Sequence, residues 1–380
     1  MKCNLCKTGK FKKILTFKDT PIVNNYKKDK FFVKKTNSEI LFCENCQSIK
    51  NYHDIPPDKI FENYSYSSFH TNLLKPIETF ISEICQSKNI NNILEVGCNN
   101  GLFLKKIYNS TNVDNASGVD PSAPKDSENN ITFINEFFNE RVINDYGLTR
   151  KFDLIIARHM FAHVPNPEKI ARELSMCASE ISYIYIENAD LANTIAKKDY
   201  SQLYLEHFYA LSPSSIEKIF SRYGFAVKKV TNFDIHNGSF GVLLKKAKMT
   251  GKTKVKQKSF DHIYLKKDIE NWLYECELFF NELSSKKNYI WGVTAKTVMM
   301  LNMLGINTKN GKHIFDGAFD FTKLKIGCYV PGTDIMILDE PITKSDDDLN
   351  IMIGARNFSK EIKIKIKNKL PNSNIIVPPF

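Results

Sequence analysis

Four short apolar runs, separated by segments long enough for helices, constrain the fold of this chain more than any other feature of its sequence. The runs cover residues 92–97, 116–120, 152–157 and 182–187. Continuous apolar strands joined by connections of ten or more residues are typical of a parallel sheet whose two faces are covered by helices. The pattern therefore predicts an α/β fold for the middle of the chain, residues 71–247.

The sequence on either side of this segment has a different character. We interpret the basic polar stretch at 245–258 as a linker, beyond which a second α/β pattern begins. Its predicted elements are a helix over 268–283, strands at 289–292, 349–354 and 374–377, and a helix from residue 357. Residues 248–380 are expected to form a second, smaller α/β domain. Residues 1–70 are rich in lysine and weakly periodic, so they need a stabilising element other than an apolar core.

Two Cys-x-x-Cys pairs lie in this first segment. They are Cys3 with Cys6 and Cys43 with Cys46, and the 36 residues between them predict an inserted hairpin. Each pair can offer two thiolates to one ion, and two pairs complete a tetrahedral four-cysteine site. We therefore predict a structural Zn²⁺ without an open coordination position.

Charge and hydropathy narrow the possible partners and location. The chain carries 53 Lys and Arg against 42 Asp and Glu, a net charge of +11 at pH 7. Such a charge favours anionic partners, either nucleic acid or a phosphorylated small molecule. No window approaches the ~18 uninterrupted apolar residues of a membrane span, and the first residues lack the apolar core of a signal peptide. We expect a cytoplasmic protein without a membrane partner, in which the nine cysteines stay reduced.

A glycine-containing turn follows the first apolar run and leads into a helix predicted over 102–108. Glycines in this context let the backbone approach a ligand closely. The spacing Glu-x-Gly-x-x-x-Gly resembles the S-adenosylmethionine (SAM) motif of class I methyltransferases, with Asn99 in the place of a frequent middle glycine. An acidic residue that holds the ribose is expected to end the next strand, as Asp120 does. The expected SAM-binding residues are Glu95, Gly97, Cys98, Asn99, Asn100, Gly101, Asp120, Pro121 and Phe137.

Polar side chains follow the last two strands of the predicted sheet, where the carboxyl ends of parallel strands form a ligand crevice. These candidates are His159, His163, Tyr204, Glu206 and His207. An adjacent Glu and His provide a base with a nearby charge to tune it, and a phenol can hydrogen-bond an oxyanion. We predict that His207 is a general base, that Glu206 orients or tunes it, and that Tyr204 is a hydrogen-bond donor.

The order of these motifs resembles a family of SAM-dependent sugar C-methyltransferases, which methylate C3 of nucleotide-linked 4-keto-deoxy sugars. The matching segments are the two cysteine pairs, residues 64–68 with Tyr64 and Tyr66, the turn at 95–101, residues 118–121, 162–163, 206–207 and 236–239, and in the last domain 292–296, 329–333 and 356–361. Together they extend over nearly the whole chain.

The resemblance implies an architecture and a reaction. A class I (Rossmann-like) methyltransferase domain would lie between an N-terminal zinc-binding module and a C-terminal α/β domain that holds the nucleotide diphosphate, with Lys296 as a contact. Tyr64 or Tyr66 would fold over the sugar and hydrogen-bond it together with Tyr204. The implied cofactors are SAM and a structural zinc, and the implied partner is a dTDP- or GDP-linked sugar. We expect a monomer that binds no nucleic acid.

The sequence departs from the family pattern at four places, and alternative functions are also compatible with it. Leu205 replaces a histidine, Thr297 a glycine, Asn188 with Ala189 a Val-Pro pair, and Arg356 a tryptophan. The alternatives are an O- or N-methyltransferase acting on a sugar, an RNA methyltransferase with a zinc module, and a SAM-binding protein without catalysis. An RNA methyltransferase is disfavoured because the sequence has neither an Asn-Pro-Pro-Tyr segment nor an arginine-rich aromatic patch.

Overall fold

The computed structural model describes residues 1–29, 35–61, 74–235, 237–247, 255–283, 287–305, 314–339 and 349–378. Tyr64, Tyr66 and His236 lie outside the described residues. Within these ranges, no helix combines the length and the apolar character that crossing a membrane requires.

The N-terminal segment forms a small antiparallel sheet. Its elements are β1 (Lys12–Pro21), β2 (Lys35–Cys43), β3 (Ser48–Tyr52) and the short helix α1 (Pro57–Phe61). Strands β1 and β2 are antiparallel neighbours, which confirms the hairpin predicted between the cysteine pairs. Leu5, Phe11 and Ile55 are buried in one core with Leu205 and Tyr209 of the middle of the chain. The N-terminal module therefore shares its core with the middle of the chain.

The middle of the chain forms the central sheet. Its strands are β4 (Asn92–Val96), β5 (Asn115–Val119), β6 (Ile131–Ile134), β7 (Phe152–Arg158), β8 (Ala178–Ala189), β10 (Phe225–Phe233) and β11 (Ser239–Lys246), and between β8 and β10 lies β9 (Tyr209–Ala210), which joins the N-terminal sheet. The helices are α2 (Lys75–Lys88), α3 (Leu102–Ser110), α4 (Glu140–Asp145), α5 (Pro167–Cys177), α6 (Leu191–Ala196) and α7 (Pro213–Phe220).

The seven strands of the central sheet have the order β10-β11-β8-β7-β4-β5-β6. Strands β4 to β8 are parallel to one another, whereas β11 is antiparallel to both β8 and β10. The predicted parallel α/β sheet is confirmed. Because chain order reverses between β4 and β7, the carboxyl ends of these two strands border the crevice in which open sheets bind ligands.

The start of the predicted linker is wrong. Lys245 and Lys246 are the last residues of β11 and pair with Ala226 and Phe225 of β10. Their side chains are only partly buried at the end of the strand, while the backbone hydrogen bonds continue, so a basic run does not mark the end of the sheet. Beyond the segment that is not described, the Val255 amide donates to Glu217 of α7 at 3.1 Å.

The last part of the chain forms a second, smaller α/β unit, as predicted. Its elements are α8 (His262–Asn281), β12 (Asn288–Trp291), α9 (Ala295–Met303), β13 (Gly317–Phe319), β14 (Ile337–Leu338), β15 (Asn350–Ile353), α10 (Ser359–Lys369) and β16 (Asn374–Ile376). The five strands are parallel, in the order β14-β13-β12-β15-β16. Trp272 of α8 and Met299 of α9 share a core with Phe17 of β1, so this unit packs on the N-terminal sheet.

Candidate active site

The turn after β4 has the backbone conformation that its glycines predict. Gly97, Asn99 and Gly101 have φ angles of 78°, 49° and 74°, in the left-handed region that glycine and asparagine adopt most readily. A Cβ on Gly101 would lie 2.5 Å from the ring of Phe133, so this position requires glycine. Gly101 also precedes the first turn of α3. The turn thus brings backbone amides to the carboxyl end of β4.

The other predicted SAM-binding residues lie at the same edge of the sheet. Asp120 follows β5, and its Oδ1 accepts a hydrogen bond from the Ser122 amide at 2.7 Å. Pro121 is exposed, and Phe137, beyond β6, is 63% exposed. The Cys98 side chain is buried beside the turn. Because β4, β5 and β6 are parallel neighbours, this edge can present the turn and Asp120 to one ligand.

Beneath this edge lies a buried charge network. Arg158 Nε donates to Glu187 at 3.1 Å, and His159 Nε2 donates to the other oxygen of Glu187 at 2.9 Å. Glu95 lies 3.7 Å from Arg158. Burial raises the pKa of Glu95 to about 7, with Arg158 opposing the shift. Burial opposes ionisation of Glu187 as well, but the charge of Arg158 and the hydrogen bond from His159 outweigh it and lower the pKa of Glu187 to about 2.

The loop that carries Tyr204, Glu206 and His207 is held by the N-terminal sheet. Strand β9, just after His207, pairs with β3. Asn51 of β3 donates through Nδ2 to the Tyr204 carbonyl at 2.9 Å, and His53 Nε2 donates to the carbonyl of Leu205 at 3.0 Å. The position of the candidate base therefore depends on the folding of the cysteine-containing module.

His207 is held in a single tautomer by its neighbours. Its Nδ1–H donates to the Gln202 carbonyl at 2.8 Å, which leaves Nε2 as an acceptor for the Tyr204 hydroxyl, also at 2.8 Å. Burial and the adjacent ring of His163 lower the pKa of His207 well below 6.5. The imidazole is therefore neutral at pH 7 and carries its lone pair on Nε2, as a general base must.

Glu206 has a different neighbour from the one that the sequence suggests. Its Oε1 accepts hydrogen bonds from the backbone amide and the side-chain amide of Asn24, at 3.0 and 3.2 Å. Burial raises the pKa of Glu206 to about 7. His163 lies on the other side of the loop, where its Nδ1–H donates to the Glu206 carbonyl at 2.8 Å and its ring centre is 4.7 Å from that of His207. Burial lowers the pKa of His163 to about 4.

A small cleft at the ends of β7 and β8 brings two of the predicted residues together. Its lining residues are His159, Ala162, Asn188, Ala189, Thr194, Gln202, His207, Tyr209, Ala210 and Leu211. His159 and His207 come from different strands and loops, yet they border this same cleft. An acceptor molecule in the cleft would contact the loop of the candidate base.

An ion pair joins the C-terminal unit to the same loop. Lys296, in the first turn of α9, contacts Asp199 at 2.6 Å, and the Asp199 side chain is 3% exposed. Asp199 also accepts hydrogen bonds from Ser201, Gln202 and Asn237, at 2.9, 2.8 and 2.7 Å. Burial would raise the pKa of Asp199, but the charge of Lys296 lowers it. The cluster orders the backbone at Gln202, whose carbonyl binds His207.

The four predicted metal ligands meet at one buried point. The thiol sulfurs of Cys3, Cys6, Cys43 and Cys46 all lie within 4.8 Å of one another, and two of the separations are 3.7 and 3.8 Å. Four sulfurs ~2.3 Å from a tetrahedral ion are separated by about 3.8 Å, so the cluster fits Zn²⁺. A Cβ on Gly9 would lie 2.6 Å from the Cys43 sulfur, which requires glycine there.

Sequence reasoning missed several residues of this site. Asn24, Asn51 and Asp199 carry no local signal, because each acts through contacts with distant parts of the chain. Gln202 acts on His207 through its backbone carbonyl, which no side-chain pattern marks. Asn188 also lies in this site, although in the sequence it stands out only as a departure from the family pattern. The predicted residues Tyr64 and Tyr66 lie outside the described residues.

Family comparisons agree with the fold and extend to the C-terminal unit. A family model described as a methyltransferase domain matches residues 63–230. The middle of the chain is thus similar to methyltransferase domains, in agreement with its largely parallel central sheet. A second model, described as a C-methyltransferase C-terminal domain, matches residues 235–378. The two matches follow one another along most of the chain, so both units are similar to methyltransferase domains, and the second is similar to a domain of C-methyltransferases.

Individual relatives are more distant. The C-methyltransferase NovU of Streptomyces niveus is 24% identical over 63% of this chain, and the match spans 59% of that protein. Among solved structures, the N-methyltransferase NodS of Bradyrhizobium japonicum WM9 with S-adenosyl-L-homocysteine (SAH) is 11% identical, with a TM-score of 0.36, over 47% of this chain and 89% of its own. An O-methyltransferase family protein of Burkholderia thailandensis is 9% identical, with the same TM-score, over 47% of this chain and 57% of its own.

Proposed function

We propose that this protein transfers the methyl group of SAM to C3 of a nucleotide-linked 4-keto-deoxy sugar. The match to a C-methyltransferase C-terminal domain, the similarity to NovU and the order of sequence motifs support methylation at carbon. The observation that carries the proposal is the neutral His207, whose hydrogen bond from Nδ1 to Gln202 places the lone pair on Nε2, where the Tyr204 hydroxyl donates to it. Transfer to carbon needs such a base, because a C–H bond must be broken.

The reaction begins with proton transfer to His207. The C–H bond next to a ketone is acidic enough for a side-chain base when the enolate oxygen is stabilised. His207 Nε2 takes the C3 proton, and the bonding electrons form the enolate of the 4-keto group. The Tyr204 hydroxyl, which lies 2.8 Å from Nε2 and donates to it in the structure, changes partner and donates to a sugar oxygen when the C3–H group approaches Nε2. The turn at Gly97 and Gly101 would hold SAM, which would supply the electrophilic methyl group: the C3–CH₃ bond would form as the S–CH₃ bond breaks, and its electrons would leave with the sulfur of SAH.

The hydrogen bonds of the loop change the role that we propose for Glu206. The carboxyl group binds Asn24 of the N-terminal module, while Gln202 and Tyr204 contact the imidazole. Glu206 thus anchors the loop and orients His207 indirectly. Tyr64 and Tyr66 keep their predicted role over the sugar as part of the proposal.

The C-terminal unit is proposed to hold the nucleotide diphosphate. Lys296 is a poor diphosphate ligand, because its ammonium group already neutralises a buried carboxylate, and we propose that it couples this unit to the loop instead. A dTDP- or GDP-linked sugar as partner, a monomeric state, a cytoplasmic location and the absence of a nucleic-acid partner stay predictions.

The cysteine cluster is proposed to hold a structural Zn²⁺. The four thiolates occupy all positions of a tetrahedral ion, so the metal has no open position for substrate. Its contribution is to the folding of the module that positions Tyr204 and Leu205.

The test uses purified protein, SAM and a panel of dTDP-, GDP- and CDP-linked 4-keto-deoxy sugars, with products located by mass spectrometry and NMR. The proposal predicts one added methyl group on C3 of at least one sugar. A methyl group on oxygen or nitrogen, or no methylation of any member of the panel, would contradict it.

A further inference from the structure

Asn188, near the end of β8, lines the cleft, and its side-chain NH₂ group has no hydrogen-bond partner among the described residues. Its side chain is 1% exposed. Its Oδ1 accepts a hydrogen bond from the backbone amide of Ala162 at 3.3 Å, whereas Nδ2 has no partner among the described residues. A backbone N–H can only donate, so the side-chain atom that contacts Ala162 must be the oxygen Oδ1 and not the nitrogen Nδ2. The unpaired end is the NH₂ group.

A buried donor without a partner raises the free energy of the protein when no ligand is bound. Nearly all buried N–H groups in folded proteins are paired, because water cannot replace a missing partner there. Asn188 lines the same cleft as His159, Gln202 and His207. A molecule that enters the cleft and carries an acceptor oxygen can therefore supply the missing hydrogen bond.

We infer that Asn188 determines specificity by donating a hydrogen bond to an oxygen atom of the acceptor substrate. This inference rests on the proposed function, because it takes the cleft beside His207 as the acceptor site. A neutral amide suits a hydroxyl or carbonyl oxygen of a sugar, and it offers no positive charge to balance a phosphate. An analogue without that oxygen is rejected, since it leaves the NH₂ group buried and unpaired.

A second unpaired group in the same strand provides a matched control. The Ser182 side chain is fully buried, and its hydroxyl oxygen has no partner among the described residues, but Ser182 is not part of the cleft wall. Replacing Ser182 by alanine removes an unpaired polar group from β8 without changing the cleft. Any effect that is shared by both positions comes from the strand and not from substrate recognition.

The experiment compares Asn188→Leu with Ser182→Ala, using the nucleotide sugar that the wild type methylates. For Asn188→Leu we expect kcat/KM for the acceptor to fall about tenfold or more, while the Kd for SAH stays within twofold. Ser182→Ala should match the wild type in both quantities. If Asn188→Leu keeps its kcat/KM within twofold of the wild type, the inference is overturned. Asn188→Asp keeps the acceptor for Ala162 and removes the donor, so it should lose kcat/KM as well.

Acceptor analogues that each lack one sugar oxygen identify the recognised atom. For one of these analogues, the kcat/KM of the wild type should fall by the same factor as the kcat/KM of Asn188→Leu falls for the complete acceptor. The kcat/KM of Asn188→Leu should be the same for that analogue and for the complete acceptor. If every analogue lowered kcat/KM by the same factor in the wild type and in Asn188→Leu, a hydrogen bond from Asn188 would be contradicted. If the wild type methylates no nucleotide sugar, the proposed function fails, and this inference fails with it.

Discussion

Lys296 and Asp199 form an ion pair of 2.6 Å that joins the C-terminal α/β unit to the loop of the candidate base. Asp199 in turn binds the Gln202 side chain, and the Gln202 carbonyl binds His207. A residue of the C-terminal unit is thus linked to the imidazole through three contacts. We therefore expect changes in the C-terminal unit to affect the position of His207.

Replacing Lys296 by methionine should leave Asp199 buried without its counter-ion. Removal of one partner of a buried pair costs about 3–5 kcal/mol, and we expect a loss near the lower figure because Lys296 itself is 29% exposed. The free energy of unfolding from urea titration is the measurement. The control is Lys198→Met, which removes an exposed pair with Glu275 and should cost less than about 1 kcal/mol. Equal losses in the two variants would refute the importance of the buried pair.

Glu206 should make the protein less stable as the pH rises. Its pKa is about 7 in the folded protein against 4.5 for an ordinary glutamate, so the folded state binds the proton more tightly. The stabilisation is complete below pH 4.5 and is lost as the pH rises through 7, by about 3 kcal/mol. The measurement is the difference in unfolding free energy between the wild type and Glu206→Gln from pH 5 to 8. Parallel curves would show that Glu206 does not titrate in this range.

Loss of the metal should release the catalytic loop. Metal binding supplies ~10 kcal/mol or more to small zinc modules, so Cys46→Ser should lose Zn²⁺ and disorder the sheet that binds Tyr204 and Leu205. Hydrogen exchange should then quicken at residues 203–210. Cys85→Ala, which removes a buried thiol outside the cluster, should retain one zinc per chain. A zinc-free variant with unchanged exchange at 203–210 would contradict this coupling.

The sequence allows prediction of those parts of the site that local spacing determines. The turn at Gly97 and Gly101 and the four-cysteine cluster depend on residue types at fixed intervals. By contrast, the binding of Glu206 by Asn24 joins residues that are 182 positions apart. No pattern marks such a contact, because it depends on how the N-terminal sheet packs on the loop. The ion pair of Lys296 was missed for the same reason, since it forms only when the two α/β units pack together.

Proton exchange at C3 of the sugar tests the central claim most directly. In heavy water with SAH and the acceptor sugar, the wild type should place deuterium on C3, because His207 can remove the proton although no methyl donor is present. His207→Asn should bind SAH as tightly as the wild type and lose the exchange by a factor of ~100 or more. Exchange by His207→Asn at the wild-type rate would contradict the assignment of His207 as the base.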